Sequence, residues 1–178
     1  MKKVIVITGT PGTGKTTISG LLKGRMKNAE LIKANDLVKS LRLYTSRAKE
    51  GEFVVNMPKL KGELERRIKK SRAETIILEG HILCDIKIKG AIAIVIREHL
   101  KTTEKRMKLR HYSKKKIEDN IVSEAVDYCG INAENNYSKV YEVMGGRSAV
   151  RNILNIMEGR TKAVNTIEML SELNRFLK

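Results

Sequence analysis

The chain has 178 residues, enough for one α/β unit with its own core and too few for two ordinary domains. Its 36 Lys and Arg against 20 Asp and Glu leave a net charge of +16, which favours acidic partners such as nucleotides or RNA, although a solvated lysine-rich surface would carry the same sign. Two isolated cysteines, Cys84 and Cys129, argue against a disulfide scaffold or a zinc site. Two Phe, five Tyr and no Trp argue against a base-stacking sheet, and the lack of any apolar run near about 18 residues argues against a membrane span.

Lys3-Val4-Ile5-Val6-Ile7-Thr8 is a β-branched run with strand character, and no leader segment is expected before it. Gly9-Thr10-Pro11-Gly12-Thr13-Gly14-Lys15-Thr16 follows and fits G-x-x-x-x-G-K-[ST] at every required position. Glycines in this pattern let successive backbone N–H groups turn toward one point, and the helix expected from Thr17 onward adds its positive end there. The spacing does not suit dinucleotide binding, because the glycines run G-x-x-G-x-G and a Lys-Thr pair has no role in that motif.

Glu30-Leu31-Ile32-Lys33 is a short strand candidate, with Asn35 as the cap of a helix from Asp36 to about Leu43. Tyr44 to Asn56 lacks periodicity, carries Gly51, and is expected to be a loop or flexible insert. Pro58 suits the first turn of a helix ending near Ser71. Thr75-Ile76-Ile77-Leu78, ending in Glu79-Gly80-His81, and Ala91 to Ile96 are continuous apolar strands, which imply a parallel sheet buried on both faces. Alternation with helices then gives a doubly wound sheet whose strand ends place Glu79, His81 and Arg97 beside the phosphate loop.

A basic helix is expected from about Leu100 to Arg110, putting Arg106 and Arg110 on one face. His111-Tyr112 interrupts it, and Ser113 caps a further helix through Tyr128. Lys139 to Met144 is a last strand, followed by Gly145-Gly146 and two closing helices, the first capped by Ser148, with Gly159 between them.

Phosphoryl transfer is mostly positioning and charge neutralisation, so cations around the transferred group matter more than a covalent nucleophile. Lys15 supplies one in the loop, and Arg106 and Arg110 are candidates from a closing lid, against the alternative of ordinary solvated charge. Thr16 and Glu79 are candidates to hold Mg²⁺, directly or through water, and His81 to orient a water or touch a phosphate. Asp36 either contacts a second nucleotide or merely complements its helix dipole. Arg147 either lies along an adenine ring or is a turn cation.

Taken together these segments resemble the adenylate kinase family, and more closely its atypical isoenzyme-six type, the archaeal and nuclear branch linked to small ribosomal subunit maturation. The resemblance rests on the phosphate loop, on Asn35-Asp36-Leu37, on Glu79-Gly80-His81, and on Arg110 to Ile121, which is similar to a short lid of pattern R-x-Y-x-x-K-K-[LI]-x-D-N-I. It implies a single P-loop NTPase domain, a three-layer αβα sandwich with a five-stranded parallel sheet of order 2-3-1-4-5. A nucleoside monophosphate clamp over about residues 34–57 and a lid over about 109–119 would close on the substrates.

The same resemblance implies Mg-ATP held by Gly12, Gly14, Lys15, Thr16, Thr17, Arg110 and Arg147, with AMP as best acceptor and a slower ATPase. It also implies a small-subunit ribosomal protein of the universal eleven family as partner, within pre-30S particles and with possible rRNA contact. The chain departs from the family where Glu79 replaces a frequent aspartate and where Lys39 stands on the acceptor side in place of arginine. The two functions carried forward are ATP:AMP phosphotransfer and a ribosome-assembly ATPase, in a cytoplasmic protein expected to be a monomer.

Overall fold

The structure is a computed structural model that describes residues 2–47, 53–160 and 167–176. The chain enters through β1 (Lys3–Thr8), α1 (Lys15–Arg25), β2 (Ala29–Lys33) and α2 (Ala34–Ser40). A short hairpin of β3 (Tyr44–Arg47) and β4 (Phe53–Val55) leads into α3 (Met57–Lys70), β5 (Thr75–Glu79) and a 3-10 turn at His81–Asp85. The second half holds β6 (Ile92–Arg97), α4 (Leu100–Lys108), α5 (Lys114–Ala125), α6 (Tyr128–Asn136), β7 (Val140–Met144), α7 (Ala149–Met157) and α8 (Leu170–Phe176).

Five strands pair in parallel in the spatial order β2-β5-β1-β6-β7, which is 2-3-1-4-5 when the hairpin strands are left out of the count. Side chains alternate across the sheet as a period of two requires. Val4, Val6, Ile76, Leu78, Ala93 and Val95 face the layer of α2, α3 and α6, while Ile5, Ile7, Ile77, Ile94 and Ile96 face α1 and α7. Both faces are therefore apolar, and the strands read as unbroken hydrophobic runs. A third, smaller cluster of Leu100, Met107, Ile117, Ile121 and Met169 joins α4, α5 and the segment leading to α8.

Several local expectations change. Residues 44–56, expected to be a loop, carry an antiparallel hairpin in which the Tyr44 and Phe53 rings lie 4.4 Å apart; Gly51 falls outside the described residues. Helix α2 begins at Ala34 with Lys33 in the capping position, so Asn35 belongs to its first turn and caps nothing. The helix expected to continue through Tyr128 stops at Ala125, because Asp127 adopts φ 55° and its side chain accepts the Gly130 N–H to start α6. Ser113 does cap α5, accepting from the Lys116 amide, whereas Ser148 occupies the capping position of α7 without a side-chain bond.

Arg97, expected beside the phosphate loop at the mouth of the sheet, is instead 1% exposed and enclosed by carboxylates. Its guanidinium meets Glu124 at 3.0 Å, Asp127 at 2.6 Å and Glu142 at 3.2 Å, and donates to the Glu124 carbonyl at 2.7 Å. One cation thus ties the end of β6 to α5, to the α5–α6 corner and to β7. Glu142 also accepts the backbone N–H of Ile167, attaching the approach to α8.

Burial, aided by the neighbouring Asp127, pushes the Glu142 carboxyl from its ordinary 4.5 up to about 7. The folded protein then keeps a proton that the unfolded chain releases above 4.5, so this contribution to stability is present at low pH and is lost as pH rises through about 7. Thermal melts of Glu142→Gln should show a flatter midpoint between pH 5 and 8 than the wild-type protein, a window taken from that shift. Identical pH slopes in the two proteins would contradict the assignment.

Candidate functional site

The turn from β1 to α1 is shaped by glycines at two tight contacts. Gly9, at φ 131°, passes under Ile96, where an added Cβ would stand 2.4 Å from the carbonyl oxygen. Gly12, at φ 97°, lies against α4, where a Cβ would stand 2.9 Å from the Thr103 methyl. Two carbonyls of the loop are met by donors from behind. Thr10 O accepts from Lys15 Nζ at 2.8 Å and Thr13 Oγ1 at 3.0 Å, and Gly12 O accepts from Arg106 Nη1 at 3.1 Å.

Lys15 is 7% exposed. Burial pushes its ammonium below the usual lysine range, Arg110 adds to that effect, and Glu79 and Glu124 oppose it. An incoming phosphate would restore the charge that burial disfavours.

At the end of β5, Glu79 Oε1 accepts from Thr16 Oγ1 at 3.4 Å. Burial pushes the Glu79 carboxyl above the usual range, while Lys15 and Lys33 pull it down. A hydroxyl and a carboxylate so placed suit a hard cation with oxygen ligands, so Thr16 and Glu79 are the residues that would hold Mg²⁺, which neutralises phosphate charge when bound. Among the described residues no cluster of three or more His, Cys, Asp or Glu could hold a metal by itself; phosphate oxygens and water would complete six ligands.

His81 opens the 3-10 turn, and its carbonyl accepts from Thr8 Oγ1 at 3.0 Å and Cys84 Sγ at 3.1 Å, which fixes the turn against β1. Its side chain lines a cleft of about 540 Å³ that begins at the phosphate loop. The far wall of the cleft is Asn35, Val38 and Lys39 of α2 with Phe53 and Val55 of the hairpin, and the third side is Arg110, Tyr112, Lys116 and Asn120.

Of the residues singled out in the sequence, Gly12, Gly14, Lys15, Thr16, Thr17, Lys39, Glu79, His81 and Arg110 all line this cleft. Three do not. Arg106 sits behind the loop, paired with Glu98 at 2.9 Å as well as with Gly12 O. It parts from Arg110 because α4 stops at Lys108 and a tight turn follows, closed by Arg110 N to Met107 O and His111 N to Lys108 O, with His111 at φ 56°. Asp36 is exposed on α2, close enough for its charge to act on Glu79 but off the lining. Arg147 lines a separate groove beside α7.

Sequence reasoning passed over Asn35, Phe53, Tyr112, Lys116 and Asn120 as site residues. For the last three a signal existed: all fall in the segment from Arg110 to Ile121 that carries the resemblance, Lys116 and Asn120 share one face of α5, and Lys116 Nζ lies 4.4 Å from the ring centre of Tyr112, which stands just before that helix.

A phosphate loop on a parallel sheet of this order, with a carboxylate at the neighbouring strand end, defines the P-loop kinases, and the site suits a nucleotide kinase. The chain belongs to the AAA domain family, which matches residues 5–127. It is 36% identical over 141 residues to a protein of Methanosarcina barkeri named "Putative adenylate kinase", covering 79% of this chain and 75% of that relative. A protein of the same name from Methanocaldococcus jannaschii is 34% identical over 151 residues, covering 84% of this chain and 81% of the relative. Among solved structures, shikimate kinase from Acinetobacter baumannii superposes with a TM-score of 0.63 at 14% identity, over 92% of this chain and 97% of that one. Shikimate kinase from Bacteroides thetaiotaomicron gives 0.62 at 14% identity, over 88% and 98%. At that identity the likeness speaks for the fold alone.

Because burial disfavours the charged form of Glu79, Glu79→Gln should raise the melting temperature of the nucleotide-free protein at pH values above the raised pKa. The same change should raise the Mg²⁺ concentration needed for half-maximal turnover by about tenfold or more. Unchanged Mg²⁺ dependence would remove Glu79 from the metal site.

Proposed function

We propose that this protein transfers the γ-phosphoryl group of Mg-ATP to AMP, giving two ADP. The observation that carries this reading is the two-ended cleft, with the phosphate loop at one end, the α2 and hairpin wall at the other, and Glu79 and His81 between them. ATP would seat its phosphates on the loop amides with Lys15, Thr16 and Thr17, and Arg110 would neutralise charge from the lid turn. AMP would occupy the wall of Asn35, Val38, Lys39, Phe53 and Val55, its phosphate oxygen displacing ADP in line from the γ-phosphorus. The hairpin and the 109–119 segment would act as monophosphate arm and lid of a single domain, excluding water as they close. The archaeal relatives named for adenylate kinase activity support the choice of AMP.

A second reading is favoured by His81, which lines the same cleft beside Glu79. With no acceptor bound, His81 would orient a water and the protein would hydrolyse ATP slowly. A small-subunit ribosomal protein of the universal eleven family as the partner served by that hydrolysis rests on the sequence resemblance, not on the cleft.

Both readings meet in one assay, ADP formation from Mg-ATP with and without AMP. Saturable stimulation by AMP with two ADP per ATP is expected, with a loss of about 100-fold or more in Lys15→Ala. His81→Ala should slow the AMP-independent reaction while ATP affinity stays near wild type. No stimulation by AMP, or full activity in Lys15→Ala, would overturn the kinase reading.

A further inference from the structure

On the α1 and α7 side of the sheet, away from the cleft, lies a second depression of about 460 Å³ lined by Arg25, Arg147, Arg151, Leu154, Asn155, Glu158 and Arg160. It shares no lining residue with the nucleotide cleft. Four guanidinium groups face one carboxylate, and that carboxylate, Glu158, is already paired with Arg160 at 3.0 Å. Arg25, Arg147 and Arg151 have no carboxylate partner among the described residues.

Helix electrostatics do not account for the arrangement. Arg25 closes α1, where a cation is favoured, but Arg151 falls in the first turn of α7, where a cation is disfavoured and no acidic residue offsets it. The arginines are also spread along α7, with Arg147 before its first turn, Arg151 in that turn and Arg160 folded back against its last turn, on a helix of nine residues and roughly 13 Å. A single small anion would be met by cations converging on one point; a row of cations suits a ligand with repeated charge.

We propose that this groove binds the phosphate backbone of nucleic acid. Arginine is suited to the role because its planar fork grips phosphate through two donors. Leu154 is the one apolar lining residue and no aromatic ring is present, so bases have nothing to stack on and binding follows the backbone without regard to sequence. The net charge of +16 adds long-range attraction, while the groove supplies the place where it is concentrated.

The test is fluorescence anisotropy of a labelled oligouridine of about 20 nucleotides, titrated with protein over a range of salt concentrations. The full chain should bind with affinity that falls steeply with salt. The double variant Arg25→Ala/Arg151→Ala should bind more weakly, and its log–log salt slope should be shallower by about 1.4, at about 0.7 per lost phosphate contact. Its ADP formation should be unchanged, since neither residue touches the cleft. As a control, Lys69→Ala/Lys70→Ala removes the same charge from α3 on the opposite face, and should leave the slope near wild type. Equal losses in the two double variants would mean a diffuse basic surface and overturn the proposal, as would an oligonucleotide that fails to bind at low salt.

Discussion

A phosphate loop works by facing its amide hydrogens toward one point, and that demand leaves its carbonyls facing back into the protein. Buried carbonyls without donors would cost as much as the loop gains, so the rear of the loop decides whether the front can exist. Here Lys15 and Thr13 satisfy Thr10 O, and Arg106 satisfies Gly12 O. Arg106 is held in turn by Glu98, whose backbone N–H is bonded to Glu124. Glu124 then meets Arg97, and from Arg97 the chain of contacts reaches Asp127 and Glu142. The turn from Leu109 to Ser113 lies between α4, which carries Arg106, and α5, which carries Glu124, so the phosphate loop and both flanks of that turn share one connected set of charges.

Such a network is weak evidence for stability, because desolvating each charge offsets most of what pairing returns. Its effect is on specification. Removing one partner strands the others, at a cost of about 3–5 kcal/mol, so the strand ends, the corner after α5 and the segment before α8 are held to one mutual arrangement. The apolar layers carry the folding free energy, with both faces of the sheet sealed by helices. Charges at the carboxyl end of the sheet position what those layers hold together.

Much of this was legible in the sequence, because the signals are local. The phosphate loop is a contiguous pattern, the parallel sheet follows from unbroken apolar strands, and Glu79 and His81 follow from where one strand ends. The resemblance gave the strand order, which a single sequence does not contain. What escaped depends on contacts distant in the chain. Arg97 and Arg106 look like site cations in sequence, yet carboxylates from α5, β7 and the β6–α4 link draw them behind the loop. The left-handed Asp127 that separates α5 from α6 is held by Arg97, 30 positions earlier, and nothing nearby announces it. The hairpin was hidden because β3 and β4 are short and only half-buried, so they lack the apolar alternation by which strands are recognised.

In the proposed reaction two nucleotides meet end to end in one cleft, between the phosphate loop and the α2 and hairpin wall. The most direct measurement is calorimetric titration with a bisubstrate probe, two adenosines joined through five phosphates, compared with ATP alone. One probe should bind per chain, at least about 100-fold more tightly than ATP. Hydrogen exchange should then slow in α2, in the hairpin and in the segment from Arg110 to Asn120 together. Binding no tighter than ATP, with slower exchange confined to the phosphate loop, would contradict a second nucleotide in the cleft.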